Sequence, residues 1–122
     1  MPAMRLALSL LVALLLAACS GQPLPADKLG YAGEWQSETV QLVITPDGNV
    51  HYRRVEKDPN VNVSIDAPIK KFEGNDFYVG LGPFTTKFVV SRPPSMVDGK
   101  FRMTVDGREL VRTRTFGGGQ QV

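Results

Sequence analysis

The sequence predicts an all-β domain, a small antiparallel meander of about eight strands that closes into a barrel. Two observations lead to this prediction. Apolar and polar residues alternate through most of the chain after residue 30, which is the period of a half-buried strand. Turn sequences, three of them Asp-Gly pairs, interrupt the alternation at hairpin spacing. Because no window carries a sustained helical period, helices are not expected in this part of the chain.

The predicted strands follow this punctuation in chain order. They cover residues 33–36, 41–45, 49–55, 61–65, 69–73, 77–81, 84–90, 100–105 and 108–115. Asp66-Ala67-Pro68 is expected to end the strand before it, and Arg92-Pro93-Pro94-Ser95 is expected to form a longer connection. Meanders of this kind remove their exposed edges by closing. A closed barrel is therefore the first expectation, and a half-open barrel or a small sandwich is the second.

Nineteen apolar side chains occupy the predicted inward positions. An eight-stranded barrel is just wide enough for side chains to fill, and three inward positions on each strand provide about 24 places. The interior is therefore expected to be nearly full, with any cavity small or at one mouth. The candidates are Trp35, Leu42, Ile44, Val50, Tyr52, Val61, Val63, Ile65, Ile69, Phe77, Val79, Leu81, Phe84, Phe88, Val90, Phe101, Met103, Val105 and Leu110.

The first 18 residues are organised like a secretory signal. Arg5 precedes an apolar run, residues 6–16, which only Ser9 interrupts, and two alanines follow the run. As a helix this run rises only about 16 Å, which is too short for a hydrocarbon core of about 30 Å. The segment is therefore predicted to be a signal peptide and not a transmembrane helix.

Leu16-Ala17-Ala18-Cys19 ends this segment and contains the only cysteine of the chain. These residues resemble the lipobox of bacterial lipoproteins, in which the cysteine thiol is acylated with diacylglycerol and the chain is cut before it. The resemblance implies lipidation of Cys19, and Ser20, which is not aspartate, implies sorting to the outer membrane. Several acyl chains hold a protein firmly, because each buried CH₂ contributes about 0.8 kcal/mol. The alternative is an ordinary secretory signal with a chance cysteine at its end.

The remaining chain has the length of one domain. Residues 19–30 contain two prolines among small and polar residues and are predicted to be the lipidated cysteine with a flexible tether. Residues 31–115 are predicted to be the barrel, and residues 116–122, with three consecutive glycines, a disordered tail. Once Arg5 leaves with the signal, 13 of the 14 basic residues face 12 acidic ones. This near balance gives no electrostatic case for nucleic acid as a partner.

Gly33-Glu34-Trp35 follows Leu29-Gly30-Tyr31-Ala32. It resembles the G-x-W motif that opens the first strand of lipocalins and related calycin barrels. The resemblance implies a lipocalin-like barrel in which Arg112, or else Arg114, lies over the tryptophan. In a closed meander the last strand pairs antiparallel with the first, so the end of one lies beside the start of the other. A structural contact between Trp35 and Arg112 is therefore expected.

Few residues suggest chemistry. His51 is the only histidine, and strand alternation places it opposite in facing to Val50 and Tyr52, so a solvated surface position is favoured over catalysis. Glu73-Gly74-Asn75-Asp76 is too short for a calcium loop and is better explained as a turn. One histidine and no free thiol leave no ordinary zinc site. The sequence therefore predicts no enzyme, no metal and no cofactor.

Basic residues lie on several predicted strands. If some of them converge on one face, that face would suit lipopolysaccharide phosphates, anionic lipid heads or an acidic partner. The ordinary alternative is a set of outward positions interspersed with acids. The residues are Arg53, Arg54, Lys70, Lys71, Arg102, Arg108, Arg112 and Arg114.

Two functions fit these expectations. The leading hypothesis is a periplasmic lipoprotein, anchored in the outer membrane, whose barrel binds a small apolar ligand or an envelope partner. The alternative is an accessory or inhibitor protein that binds no ligand and acts through a barrel face or loop. A hollow of a few hundred Å³ with one open mouth favours the first. A packed interior with an exposed apolar or charged patch favours the second. An enzyme is the third possibility.

Overall fold

The computed structural model describes residues 22–57 and 59–116, so the predicted signal peptide, Cys19 and residues 117–122 of the predicted tail lie outside the described residues. One short 3-10 helix, η1 (Ala26–Tyr31), precedes the strands. The strands are β1 (Gly33–Gln36), β2 (Val40–Ile44), β3 (Asn49–Lys57), β4 (Asn60–Glu73), β5 (Asp76–Leu81), β6 (Phe84–Phe88), β7 (Val90–Val97), β8 (Lys100–Val105) and β9 (Arg108–Arg114). The predicted all-β class is confirmed.

The nine strands form one sheet in the order β6-β5-β4-β3-β2-β1-β9-β8-β7, and every neighbouring pair is antiparallel. The predicted meander is therefore confirmed, and it is curled into a half-barrel. As expected from the sequence, the first and last strands pair with each other, Trp35 standing opposite Arg112. The sheet is therefore a half-open barrel, which is the second of the expected arrangements.

The opening of the sheet lies between β6 and β7. Directions alternate along the sheet order, so these two terminal strands run the same way. Only Val89 separates them, and the chain therefore passes from β6 into β7 without reversing. The carboxylates of Asp106 and Asp76 accept the backbone N–H groups of Val89 and Val90, at 2.9 and 2.7 Å. These two bonds fix the backbone at Val89 and Val90, where the chain changes its pairing partner from β5 to β8.

Two predicted interruptions are wrong, and both concern proline. Asp66-Ala67-Pro68 continues β4, because Pro68 stands where pairing with β3 ends and pairing with β5 begins. Residues 92–95 belong to β7, where the register shifts between Val90 and Arg92 and again across Pro93 and Pro94. β7 is the last strand of the sheet order, and proline is tolerated on such an edge because its missing N–H leaves no ladder bond unmade.

The part of the predicted tether that the structure describes, residues 22–30, packs against the domain. Leu24 is only 6% exposed, and its N–H donates to the carbonyl of Pro46. In η1, Tyr31 packs edge-on against Phe72 and Phe77. Within the predicted tether, Leu24 is therefore packed into the core, whereas Leu29 and most of the other residues of 22–30 are exposed.

The two ends of the half-barrel are distinguished by strand direction. β1 begins, β9 ends, and the turns at residues 46–48 and 98–99 lie at one end, called here the entry end. The connections at residues 37–39 and 106–107 lie at the opposite end, called here the far end. The chain arrives at the entry end, since a Cβ on Gly48 would lie 1.9 Å from the carbonyl oxygen of Gln22.

Apolar side chains fill the concave side of the sheet. Twelve of the nineteen predicted inward residues are buried, and Val63, Ile65, Ile69 and Phe101 are partly buried against them. The largest fully buried side chains are Trp35, Phe77, Phe88, Leu42, Ile44, Met103, Leu110, Val50 and Val79. Leu81 and Phe84 are wrong as inward residues, since they are 60% and 79% exposed.

Candidate functional sites

The contact expected between Trp35 and Arg112 is present at the entry end. Trp35 is fully buried, and its indole N–H donates to the carbonyl of Tyr31 at 2.9 Å. The guanidinium carbon of Arg112 lies 5.8 Å from the centroid of the Trp35 ring and 4.1 Å from that of Phe101. Arg114, the alternative partner, is exposed and stands opposite Glu34. Burial lowers the pKa of Arg112 from its usual value, although a guanidinium stays charged at neutral pH.

Gly33 allows this close packing. A Cβ on this residue would lie 2.8 Å from Cδ of Arg112 and 2.9 Å from the carbonyl oxygen of Arg114. Its φ of +147° also belongs to a region that other residues rarely adopt. The glycine of the Gly33-Glu34-Trp35 motif is therefore required where β1 meets β9.

A basic groove lies beside this contact, at the entry end. It has a volume of about 540 Å³, and its eight lining residues include three basic side chains and no acidic one. We call it the entry groove. Its lining residues are Gly99, Lys100, Phe101, Val111, Arg112, Thr113, Arg114 and Thr115.

Most other basic residues are paired with acids. The carboxylate of Glu56 forms ion pairs with Arg54 at 3.6 Å and with Arg108 at 3.3 Å, and Arg102 donates to Glu109 at 3.1 Å. In this part of the sheet the basic residues are therefore outward-facing positions interspersed with acids, and not a site for an anionic partner.

A second cluster of charges surrounds Tyr78 on β5. The ammonium groups of Lys71 and Lys87 lie 4.7 and 5.5 Å from its ring centroid. Glu73 lies 3.9 Å from each of these two lysines. Because its charges are mutually satisfied, this cluster offers no unpaired group to a ligand.

The β5–β6 hairpin carries the most exposed apolar side chains of the described domain. Leu81 and Phe84 are a cross-strand pair at its turn, so both side chains project from the same face. Nζ of Lys70 donates to the carbonyl of Gly82 within the turn. Residues 84–87 are all exposed, and among the described strands β6 pairs only with β5. The hairpin therefore presents an apolar tip and an unpaired strand edge.

His51 lies on the outer face, as expected, but it has a partner that the sequence analysis missed. Its Nδ1 lies 2.7 Å from Oδ1 of Asp66, the residue directly opposite it on β4. Both side chains are more than half exposed, and they border a shallow depression of about 240 Å³ with Ser64. Because the sequence separation is 15 residues, only the register of β3 against β4 brings the pair together. An exposed hydrogen-bonded pair of this kind lacks the water-excluding pocket that acid–base catalysis uses.

The described depressions lie on the outside of the domain. None of the nine largest fully buried side chains lines the groove at the entry end, the depression at His51, or the two others, of about 280 and 290 Å³. In residues 22–57 and 59–116, no group of three or more His, Cys, Asp or Glu side chains is arranged to hold a metal ion. No helix within the same residues is long and apolar enough to cross a membrane.

Fold and sites together define the class of the molecule: a small half-barrel with a filled interior, an apolar hairpin and a basic groove. Comparison with known proteins identifies no matching family model, and neither a curated protein nor a solved structure matches the chain significantly.

Proposed function

We propose that this chain is a lipid-anchored accessory protein of the bacterial outer membrane, which binds an envelope protein in the periplasm through the β5–β6 hairpin. The lipobox resemblance of Leu16-Ala17-Ala18-Cys19 supports the anchor. Of the two functions expected from the sequence, the filled interior supports the one in which the protein binds no small ligand. With fully buried side chains across the concave face, the half-barrel holds no described cavity for a small apolar ligand.

The exposed tip supports the hairpin as the binding element. Leu81 and Phe84 occupy inward positions of the strand pattern but lie beyond the core, where their apolar surface meets water. Fully burying a side chain of this size contributes about 1.5–3 kcal/mol. A partner with an apolar groove would gain this energy from two adjacent side chains, which is how a few central residues dominate most interfaces.

The open edge of the hairpin also suits a partner. The turn itself lies near the entry end, because Val79 stands opposite Ile69 on β4, and the N–H of Ile69 donates to the carbonyl of Gly48 at 2.8 Å. The unpaired edge of β6 adds backbone groups that an extended partner segment can pair with.

The first experiment is mass spectrometry of the natively extracted protein. A diacylglycerol-modified Cys19 without a co-purifying small molecule is the expected result. A stoichiometric apolar ligand would instead favour the ligand-binding function, and an unmodified cysteine would remove the anchor from the proposal.

The second experiment places a photo-crosslinking residue at Thr85, beside the tip, in cells that express the acylated chain. We expect a discrete adduct with one envelope protein, which is lost when Phe84→Ser is added. Val55→Ser is the matched control, because Val55 is also an exposed apolar strand residue, at 46%. Adduct formation that survives Phe84→Ser would contradict the hairpin as the binding element, provided that the variant keeps the wild-type melting temperature.

A further inference from the structure

We infer that the entry groove binds the phosphate groups of an anionic bilayer and so orients the domain on the membrane. This inference rests on the lipid anchor of the proposed function and adds a second, electrostatic contact to it. The groove residues that carry the charge are Lys100, Arg112 and Arg114.

These three side chains differ from the paired arginines of the sheet. Among the residues that the structure describes, none of the three lies within 4 Å of a carboxylate, whereas Arg54, Arg102 and Arg108 all do. Within the same residues Arg53 and Arg92 are unpaired as well, but they do not line the entry groove. Glu34 is the acid on the neighbouring strand, and its Oε1 accepts bonds from Thr113 and Gln36 at 3.2 and 3.0 Å. The groove therefore keeps three cationic groups available, two of them guanidinium forks that match the geometry of phosphate oxygens.

The groove lies at the end where the membrane anchor would be. Gln22 contacts Gly48 in the turn between β2 and β3, and β1 alone separates β2 from β9. Two strand spacings amount to about 10 Å. Cys19 precedes Gln22 by three residues, a chain length that spans at most about 11 Å. Acyl chains on Cys19 would thus hold the groove within reach of the headgroup layer.

The packed N-terminal segment limits how far the domain can move and turn relative to the anchor. A flexible tether of twelve residues would let the domain drift and turn. Because Leu24 is buried and Tyr31 is bonded to Asn75 by its hydroxyl at 2.8 Å, the chain is attached to the domain from Leu24 onward. The anchor therefore limits which surface faces the bilayer. Lys and Arg near an anionic surface each strengthen association about fivefold.

The test uses the acylated full chain in phosphatidylcholine vesicles, with and without phosphatidylglycerol. Since acylation blocks Cys19, a cysteine introduced at Thr115 or at Glu38 is the only free thiol and takes one fluorescent donor. Thr115 borders the groove, and Glu38 lies in the far-end connection between β1 and β2. We expect phosphatidylglycerol to increase energy transfer from position 115 to an acceptor lipid, and to leave or lower the transfer from position 38.

Charge reversal then identifies the groove. Lys100→Glu with Arg114→Glu should lower the apparent association with the anionic surface at least about 25-fold, and added salt should do the same. Arg53→Glu with Lys57→Glu is the matched control, since it changes the net charge equally at exposed positions on β3. Thermal melts of both variants confirm folding. An equal loss in both double variants would overturn the groove as the contact.

Three further outcomes separate the hypotheses. Wild-type protein that is acylated and held by vesicles, yet shows no effect of phosphatidylglycerol at position 115, overturns the inference and leaves the anchor intact. Protein that is not acylated contradicts the proposed function itself. Loss of the lipid effect in inorganic phosphate, but not in chloride of equal ionic strength, would identify a site for a free anion instead.

Discussion

Arg112 shows how a single side chain serves two purposes. Its stem packs over Gly33, while its guanidinium carbon lies 5.8 Å from the ring of buried Trp35 and 4.1 Å from that of Phe101, beside the entry groove. Packing of the stem and attraction of the cation to the rings both favour the folded chain. The residue therefore links the stability of the entry end with its charge.

We predict that Arg112→Ala lowers the free energy of unfolding by about 1–2 kcal/mol, because the ring contacts and the packing of the stem over Gly33 are both lost. Arg114→Ala is the control, since this neighbour on β9 is exposed and has no aromatic contact within the described residues. Urea denaturation followed by Trp35 fluorescence measures both. Equal stability of the two variants would show that the ring contact does not stabilise the fold.

Tyr31 provides a test at high pH. Burial, helped by the nearby charges of Asp76 and Asp27, raises the pKa of Tyr31 from 10.0 to about 12. A pKa that is higher in the folded state means that the neutral phenol stabilises folding below pH 10. That contribution is lost as the pH rises through 10 toward 12.

We therefore predict that the melting temperature of the wild type falls more steeply between pH 10 and 12 than that of Tyr31→Phe. The variant should be less stable at neutral pH, because the hydrogen bond from the hydroxyl to the carbonyl of Asn75 is absent. Parallel curves for the two proteins above pH 10 would contradict the assignment to Tyr31.

At the scale of elements, the segment before β1 is the main departure from the sequence analysis. Composition marked residues 19–30 as a tether, yet Leu24 is buried in the core, and η1 ends in Tyr31, which is also buried. An open sheet leaves part of its concave face uncovered, and a neighbouring segment gains free energy by covering it.

We predict that Leu24→Ser destabilises the domain by about 2–4 kcal/mol, which lowers the melting temperature by roughly 10 °C or more. Leu29→Ser is the matched control within the same segment, because Leu29 is 56% exposed. Calorimetry of the two variants gives the comparison. If both melt like the wild type, the segment does not contribute to the core.

The β5–β6 hairpin shows why alternation alone misplaced two residues. Alternation decides which side of a strand a residue lies on, and it assigned Leu81 and Phe84 correctly to the side of Phe77. Burial requires in addition that another layer stands opposite, and the hairpin turn extends past the core. Leu81 and Phe84 follow the inward alternation but are exposed, and this combination marks the hairpin as a candidate binding element.

For the whole molecule, we predict that Cys19→Ala abolishes retention in the envelope-membrane fraction and leaves precursor or soluble protein. The physical reason is that the acyl chains supply the membrane affinity in this proposal. Ser20→Ala is the control, since it leaves the thiol in place. Fractionation followed by immunoblotting measures the outcome, and unchanged retention of Cys19→Ala would contradict the lipoprotein assignment.

The sequence by itself determined the class of fold, most of the inner face and a contact between Trp35 and either Arg112 or Arg114, because these follow from a period of two residues and from the pairing of terminal strands. Only the tertiary structure decided the rest. The pairing of His51 with Asp66, the packing of Leu24 and the grouping of Lys100 with Arg114 depend on register, curvature and closure. These arise from contacts between residues far apart in the chain, which no local pattern records.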